Sequence, residues 1–232
     1  MSNSITKFGL IALASLLSFA CEQIEDVQGK AVDACASLSV RDQVAVAVVD
    51  NPSPRLAVSS GVVVQGDGDS LMLSGEGRVE LSCPSLQKIQ VLGGAQLDVG
   101  DGSKLQSLRD VRVYGDGQVA IHGLMNDSLS ARASGNGALS IEGIDVDEIV
   151  ANLGGNAAVV LAGRSGALDL LLGGKVAFAG QDLQAQEVLL HGTGTGPVTL
   201  WVTAHLSISE GFVGAVTWRG TPDLKDDRVG SP

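Results

Sequence analysis

"YGDGQVAIHG" at residues 114–123, "SGNGALSIEG" at 134–143 and "GGNAAVVLAG" at 154–163 are three copies of one phrase, twenty residues apart. Each is a Gly-rich turn followed by apolar residues at every second position. Alternation with period two predicts a half-buried strand. Recurrence at a fixed pitch predicts a repeat architecture in which neighbouring copies bury each other's apolar faces.

Working outward, the first apolar residue after each turn is Val79, Leu97, Val119, Leu139, Val159, Val176, Val198 and Val216, in steps of 18, 22, 20, 20, 17, 22 and 18 residues. Each has an apolar partner two positions on: Leu81, Val99, Ile121, Ile141, Leu161, Phe178, Leu200 and Trp218. A second strand precedes each one, with inward pairs Leu71/Leu73, Ile89/Val91, Val111/Val113, Leu129/Ala131, Ile149/Ala151, Leu168/Leu170, Val188/Leu190 and Leu206/Ile208. A lone apolar residue ahead of several of these (Leu86, Leu108, Leu124, Val146, Leu183) is consistent with a short third side. Eight copies therefore run from about residue 70 to 220. Two architectures accommodate them. In a parallel β-solenoid each copy is one coil, stacked about 4.8 Å from the next. Alternatively each strand–turn–strand unit is a hairpin, which Asp-Gly and Asn-Gly turns also favour. Coils that vary only in their loops fit the steps better, so the expectation is an all-β, single-stranded parallel β-helix of about 20 residues per coil.

Composition agrees. Glycine is 31 of 232 residues, aromatics are 3%, and the apolar content is mostly Val, Leu, Ile and Ala, which suits thin strands. The net charge of −11 argues against nucleic acid as a partner, because that binding rests on Lys and Arg neutralising phosphates.

At the N-terminus, Lys7 precedes an apolar run from Phe8 to Ala20, the layout of a secretory signal peptide. Cys21 follows "LLSFA", which looks like a bacterial lipoprotein signal with Cys21 as the lipidated mature N-terminus, although Ser18 stands where such signals usually place Leu. Ordinary cleavage after Ala20 and an uncleaved anchor are the alternatives. Lipidation would leave Cys35 and Cys83 as an even pair in an oxidising compartment, either a disulfide or two buried thiols. The organisation expected is a signal peptide (1–20), an N-terminal tether or cap (21–39), a β-helix domain (40–220) and a polar C-terminal tail (221–232).

The strings "VYGDGQVAIHG", "ASGNGALSIEG" and "LGGNAAVVLAG", with "DQVAVAVVD" and "RVELSCPSL", resemble the auto-transporter adhesin head domain of bacterial envelope proteins, the head GIN family. The resemblance covers roughly Leu38 to Gly220; the literal Gly-Ile-Asn triplet is absent, "GNG" and "GGN" being nearest. It implies a right-handed β-helix behind a lipoprotein or secretory signal, with no established biochemical activity.

Candidate chemistry is sparse. "GDGDS" (66–70) and "GGAQLDVGDG" (93–102) suggest calcium, but the tandem Gly/Asp nonapeptide is missing and position twelve from Asp67 is Arg78, not Glu. His122, His191 and His205 fall on different coils, and the cysteines have no CxxC spacing, so no metal and no cofactor is expected. The middle outward position of the second strand reads Glu80, Asp98, Ala120, Ser140, Val160, Ala177, Thr199, Thr217, without the paired carboxylates of a glycosidase, so no enzyme is expected. Tyr114 and Trp201 are predicted outward; Trp218 is predicted inward as a C-terminal plug. The candidate interaction face is Ala138, Ser140, Ala158, Val160, Ala162, Ala177 and Ala179, interrupted by Glu142 and Lys175. The function expected is a non-enzymatic protein of the bacterial cell envelope, exported and lipid-anchored in the outer membrane or at its periplasmic face. Its β-helix would present a surface to an unidentified protein or matrix partner. Alternatives are a carbohydrate-binding or carbohydrate-active β-helix, or an element that self-associates through open solenoid ends.

Overall fold

A computed structural model describes residues 24–26, 35–51 and 53–228. The first nine strands are β1 (Ile24–Asp26), β2 (Ser37–Val40), β3 (Gln43–Val48), β4 (Arg55–Ser59), β5 (Val62–Asp67), the longer β6 (Ser70–Ser82), β7 (Lys88–Gly93), β8 (Gln96–Val99) and β9 (Asp110–Gly115). The long, bent strands are β10 (Gln118–Gly135), β11 (Ala138–Leu153), β12 (Ala158–Leu172), β13 (Ala177–Gly192) and β14 (Val198–Ile208), followed by β15 (Val216–Arg219) and β16 (Asp223–Asp226). Pairing along the stack is parallel, and among the described residues the antiparallel pairs are those that β1, β4 and β5 make at its N-terminal end, β1 with β4 and both β4 and β5 with β6. This is a right-handed parallel β-helix, the sense of nearly all parallel crossovers. The "GDG" and "GNG" strings at 115–117 and 135–137 are corners between stacked strands. Among the described residues the hairpin alternative holds only at Gly68–Asp69, the two-residue turn joining β5 to β6, which accounts for "GDGDS".

The repeat folds this way because the ladder puts identical environments above one another. Val46, Leu97, Val119, Leu139, Val159, Phe178, Val198 and Val216 form one column of the second face. Ile89, Val111, Ala131, Ala151, Leu170, Leu190 and Ile208 form one on the first. Each large side chain removed from water contributes on the order of 1.5–3 kcal/mol, and nearly all of these are buried. The third side exists too, with Ile144, Val146, Leu183, Ala185 and Val202 buried. At the corner between first and second faces, Gly93, Gly115, Gly135, Gly155 and Gly174 all have positive φ. A Cβ on Gly135 would lie 2.5 Å from the Gly115 oxygen, and one on Gly155 2.6 Å from the Gly135 oxygen, so backbone stacks on backbone there.

Two column assignments differ from the expected ones by two residues. Val159 stacks on Phe178, not Val176, and Val111 stacks on Ala131, not Leu129. At Phe178 the cause is that the residue leading into the second strand also points inward, Val176 and Ala157 both being buried; at Ala131 it is that Leu129, Ala131 and Ala133 are all inward, and the pair partnering Val111 and Val113 is the later one. Counting from the first apolar residue after a turn therefore starts two places early in the Phe178 coil. The same shift puts Ala179, not Ala177, beside Val160. The enlarged Phe178 is accommodated within its own coil. A Cβ on Gly180 would come 2.6 Å from the Phe178 ring, so the ring fills the place that Leu161 and Leu200 occupy in adjacent coils.

The ends depart further. The coil formed by β2 and β3 is inserted between β6 and the β7/β8 coil, so Val46 separates Val79 from Leu97. Cys35, just before β2, and Cys83, just after β6, are joined in a disulfide across 48 residues. The stack thus begins at Ser37, ahead of the expected boundary at residue 40, and β4 and β5 form much of the cap. At the other end, residues 223–226 of the expected polar tail form β16, which adds to β14. Asp223 and Lys225 flank Leu224, so a polar string reads as a tail although every second residue continues the strand pattern. Trp218 is not the plug: at 39% exposure it lies on the final coil with nothing stacked beyond it among the described residues, while Phe212 is 1% exposed.

Two predictions follow from the packing. Val159 is 1% and its neighbour Val160 42% exposed. Val159→Asp should lose about 3 kcal/mol or more in urea unfolding, and Val160→Asp about 0.5 or less. Phe178→Val and Gly180→Leu should each destabilise by about 1–3 kcal/mol, one by a cavity and one by overpacking. The double variant recreates the Val–Leu pair of the flanking coils and should recover most of that loss, a coupling measurable in a double-mutant cycle.

Candidate functional site

The parallel register assembles the small-residue face. Ala138, Ala158 and Ala177 form one outward column; Ser140, Val160 and Ala179 form the next. All six are exposed or half-buried, and Val160 projects furthest. Ala162, also half-buried, pairs with Asp182 beyond a bulge and so stands at the margin, not in either column. Ala120, one coil before Ser140, is buried, so the open surface begins at Ser140. It continues through Thr199 and Thr217. Glu142 and Lys175 stay at its borders.

One border is a ladder of side chains. Asn156 Nδ2 donates to Asn136 Oδ1 at 3.0 Å, and Asn136 Nδ2 donates to Asp116 Oδ1 at 2.9 Å. An amide can accept from the coil on one side and donate to the coil on the other, and Asp116, which only accepts, starts the series. The signal was present in the opening strings as Asp116, Asn136 and Asn156 at a pitch of twenty; it reads as turn chemistry until the register is known. On the other border His122 faces Glu142 at 3.7 Å. The face is therefore flat, uncharged and apolar at its centre, with polar rims.

The remaining candidates do not converge. Each histidine faces a carboxylate of an adjacent coil: His122 with Glu142, His191 with Asp169 at 2.7 Å, and His205 with Asp223 at 3.7 Å. Among the described residues no three His, Cys, Asp or Glu side chains are placed to hold a metal ion. A shallow groove of about 380 Å³ runs past Asp169, Glu187, Leu189, His205 and Lys225 on the first face; nothing in the sequence singled it out. Trp201 carries the Arg219 guanidinium 3.9 Å from its ring centroid, so one ring face is already occupied. Cys21 and the signal segment lie outside the described residues.

Residues 40–222 match the family model described as "Putative auto-transporter adhesin, head GIN domain". No curated protein matches the chain. Among solved structures, a "putative adhesin" from Parabacteroides merdae is similar at 14% identity and a TM-score of 0.73, over 88% of this chain and 91% of that one. A "putative lipid binding protein" from Parabacteroides distasonis is similar at 12% identity and a TM-score of 0.69, over 88% and 92%. A further "putative adhesin" from Bacteroides fragilis aligns at 14% identity and a TM-score of 0.53, over 88% and 96%. At these identities the likeness is one of fold.

Proposed function

The chain belongs to the auto-transporter adhesin head GIN domain family, and from that premise we propose that it is a non-enzymatic adhesion protein of the bacterial envelope. Its binding surface is the face built from Ala138, Ser140, Ala158, Val160, Ala177 and Ala179, and its partner is a protein or matrix component. The observation that carries this reading is the in-register alignment of small side chains in two adjacent columns. A surface without long side chains loses little rotamer freedom when another surface approaches closely. The polar rims would supply hydrogen bonds around an apolar centre, the usual anatomy of an interface. An envelope address also fits a fold whose N-terminal coils are pinned by a disulfide, since disulfides persist in oxidising compartments.

The anchor is part of the proposal. Cys21 is lipidated after export, and the chain faces away from the cytoplasm. Intact-mass measurement of the protein purified from membranes should show a diacylglyceryl adduct at Cys21. An unmodified Cys21 after cleavage, or a retained residue 1–20 segment, would sink it.

For the face, the measurement is retention of envelope and matrix proteins on immobilised chain, run beside a glycan array. Ser140→Glu combined with Val160→Glu should weaken capture by about tenfold or more, with an unfolding temperature close to that of the parent. Unchanged capture by that variant would remove the face from the reading. Enrichment of one glycan class with no protein would replace it by carbohydrate binding.

A further inference from the structure

The two ends of the stack are built differently. At the N-terminal end β6 is covered by antiparallel β4 and β5, and β4 by β1. At the C-terminal end β15 and β16 each pair with β14 alone, and among the described residues no strand lies beyond them. Core columns stop there in the open. Leu224 continues the column of Leu168, Val188 and Leu206 yet is 48% exposed, and Trp218 continues that of Leu200. A row of unpaired backbone groups above exposed core residues is a template for another strand.

The residues of β16 say which strand. The Asp227 N–H donates to the Ile208 oxygen at 2.9 Å. Backbone groups alternate sides along a strand, so those of Asp223 and Lys225 face β14 while those of Leu224 and Asp226 face outward. An antiparallel neighbour related by a two-fold axis through Leu224 would have Leu224 opposite its own copy, exchanging two N–H···O bonds. Asp223 would stand opposite Lys225 of the second copy, and Lys225 opposite its Asp223. Cross-strand pairs of opposite charge favour a register. Two further bonds would run from each Asp226 N–H to the opposing Pro222 carbonyl, and Pro222, with no N–H, ends the ladder. The edge is also held firm. The Arg228 guanidinium grips the Asp226 carboxylate at 2.9 and 2.7 Å and reaches the Gly214 oxygen at 3.1 Å, drawing the Asp226 carboxyl below the usual carboxylate range.

The geometry points to a second copy of this chain as the occupant of this edge, docked end to end through antiparallel β16 pairing. The interface is isologous, and the antiparallel cap at each far end stops further stacking, so assembly closes at two copies. It is separate from the small-residue face on the flank.

Sedimentation equilibrium from roughly 1 to 100 μM should give twice the monomer mass. Asp223→Lys alone or Lys225→Asp alone brings like charges together and should return the monomer, a weakening of about tenfold or more. An equimolar mixture of the two single variants restores the opposite-charge pairs and should sediment as a dimer; so should the charge-swapped double variant by itself. Far-UV circular dichroism confirms that each variant is folded, and the swapped double keeps the test readable if a single one is not. A monomeric parent overturns the inference, as an edge covered by another segment of the same chain would give. A dimer indifferent to both single variants, or a mixture that stays monomeric, overturns it as well.

Discussion

The in-register parallel ladder is the constraint on which everything else rests. Each backbone group bonds to its equivalent one coil away, so each side chain meets its own counterpart above and below. Inward, this turns aliphatic residues into columns; outward, it turns an isolated Ala or Asn into a surface. A slip of one residue would exchange the two faces of a strand and turn its buried aliphatic side chains outward, so the core holds the register. The corners add to this, because Gly115, Gly135, Gly155 and Gly174 stack backbone on backbone there. Asp42 has the one non-glycine positive φ among the described residues, and its carboxylate accepts the Gly75 N–H at 3.0 Å.

That constraint explains what could be read from the chain. Period-two alternation marked Val119/Ile121, Leu139/Ile141 and Val159/Leu161 as inward, because three coils of equal length share one phase. The reading slipped where a corner changed length. Val176 is as buried as Phe178, and no local pattern says which of them continues the Val159 column. The order of coils at the N-terminal end was invisible for a different reason. Alternation reports which residues face inward, not which coil lies next, so the placing of β2 and β3 inside β6 leaves no trace in spacing.

The face was legible as composition and not as geometry. Listing small outward residues found Ser140 and Val160, but Ala162 drops out because a bulge shifts the chain between Val160 and Ala162. Neither the asparagine ladder nor the open edge at β16 could be assembled without registers, since each is defined by residues eighteen to twenty apart coming side by side. Trp218 shows the converse: its parity was right, but burial at an end depends on whether another coil follows.

The disulfide has a mechanical consequence. Cys35 precedes the inserted coil and Cys83 follows β6, so the loop closed by the bond holds β2 to β6, with the antiparallel strands β4 and β5 among them, while β1, which pairs with β4, lies ahead of it. Tension applied through any segment ahead of Cys35 crosses the sulfur–sulfur bridge to Cys83 and enters the parallel stack at β7. Residues 36–82 form a slack loop relative to that pull. Once β1 has come away from β4, the inserted coil, the β5–β6 hairpin and β4 itself are shielded from a force that would otherwise unzip them one strand at a time. Oxidised, the domain transmits a pull as a short rigid rod that begins at residue 83; reduced, the same pull would be taken first by its least cooperative strands.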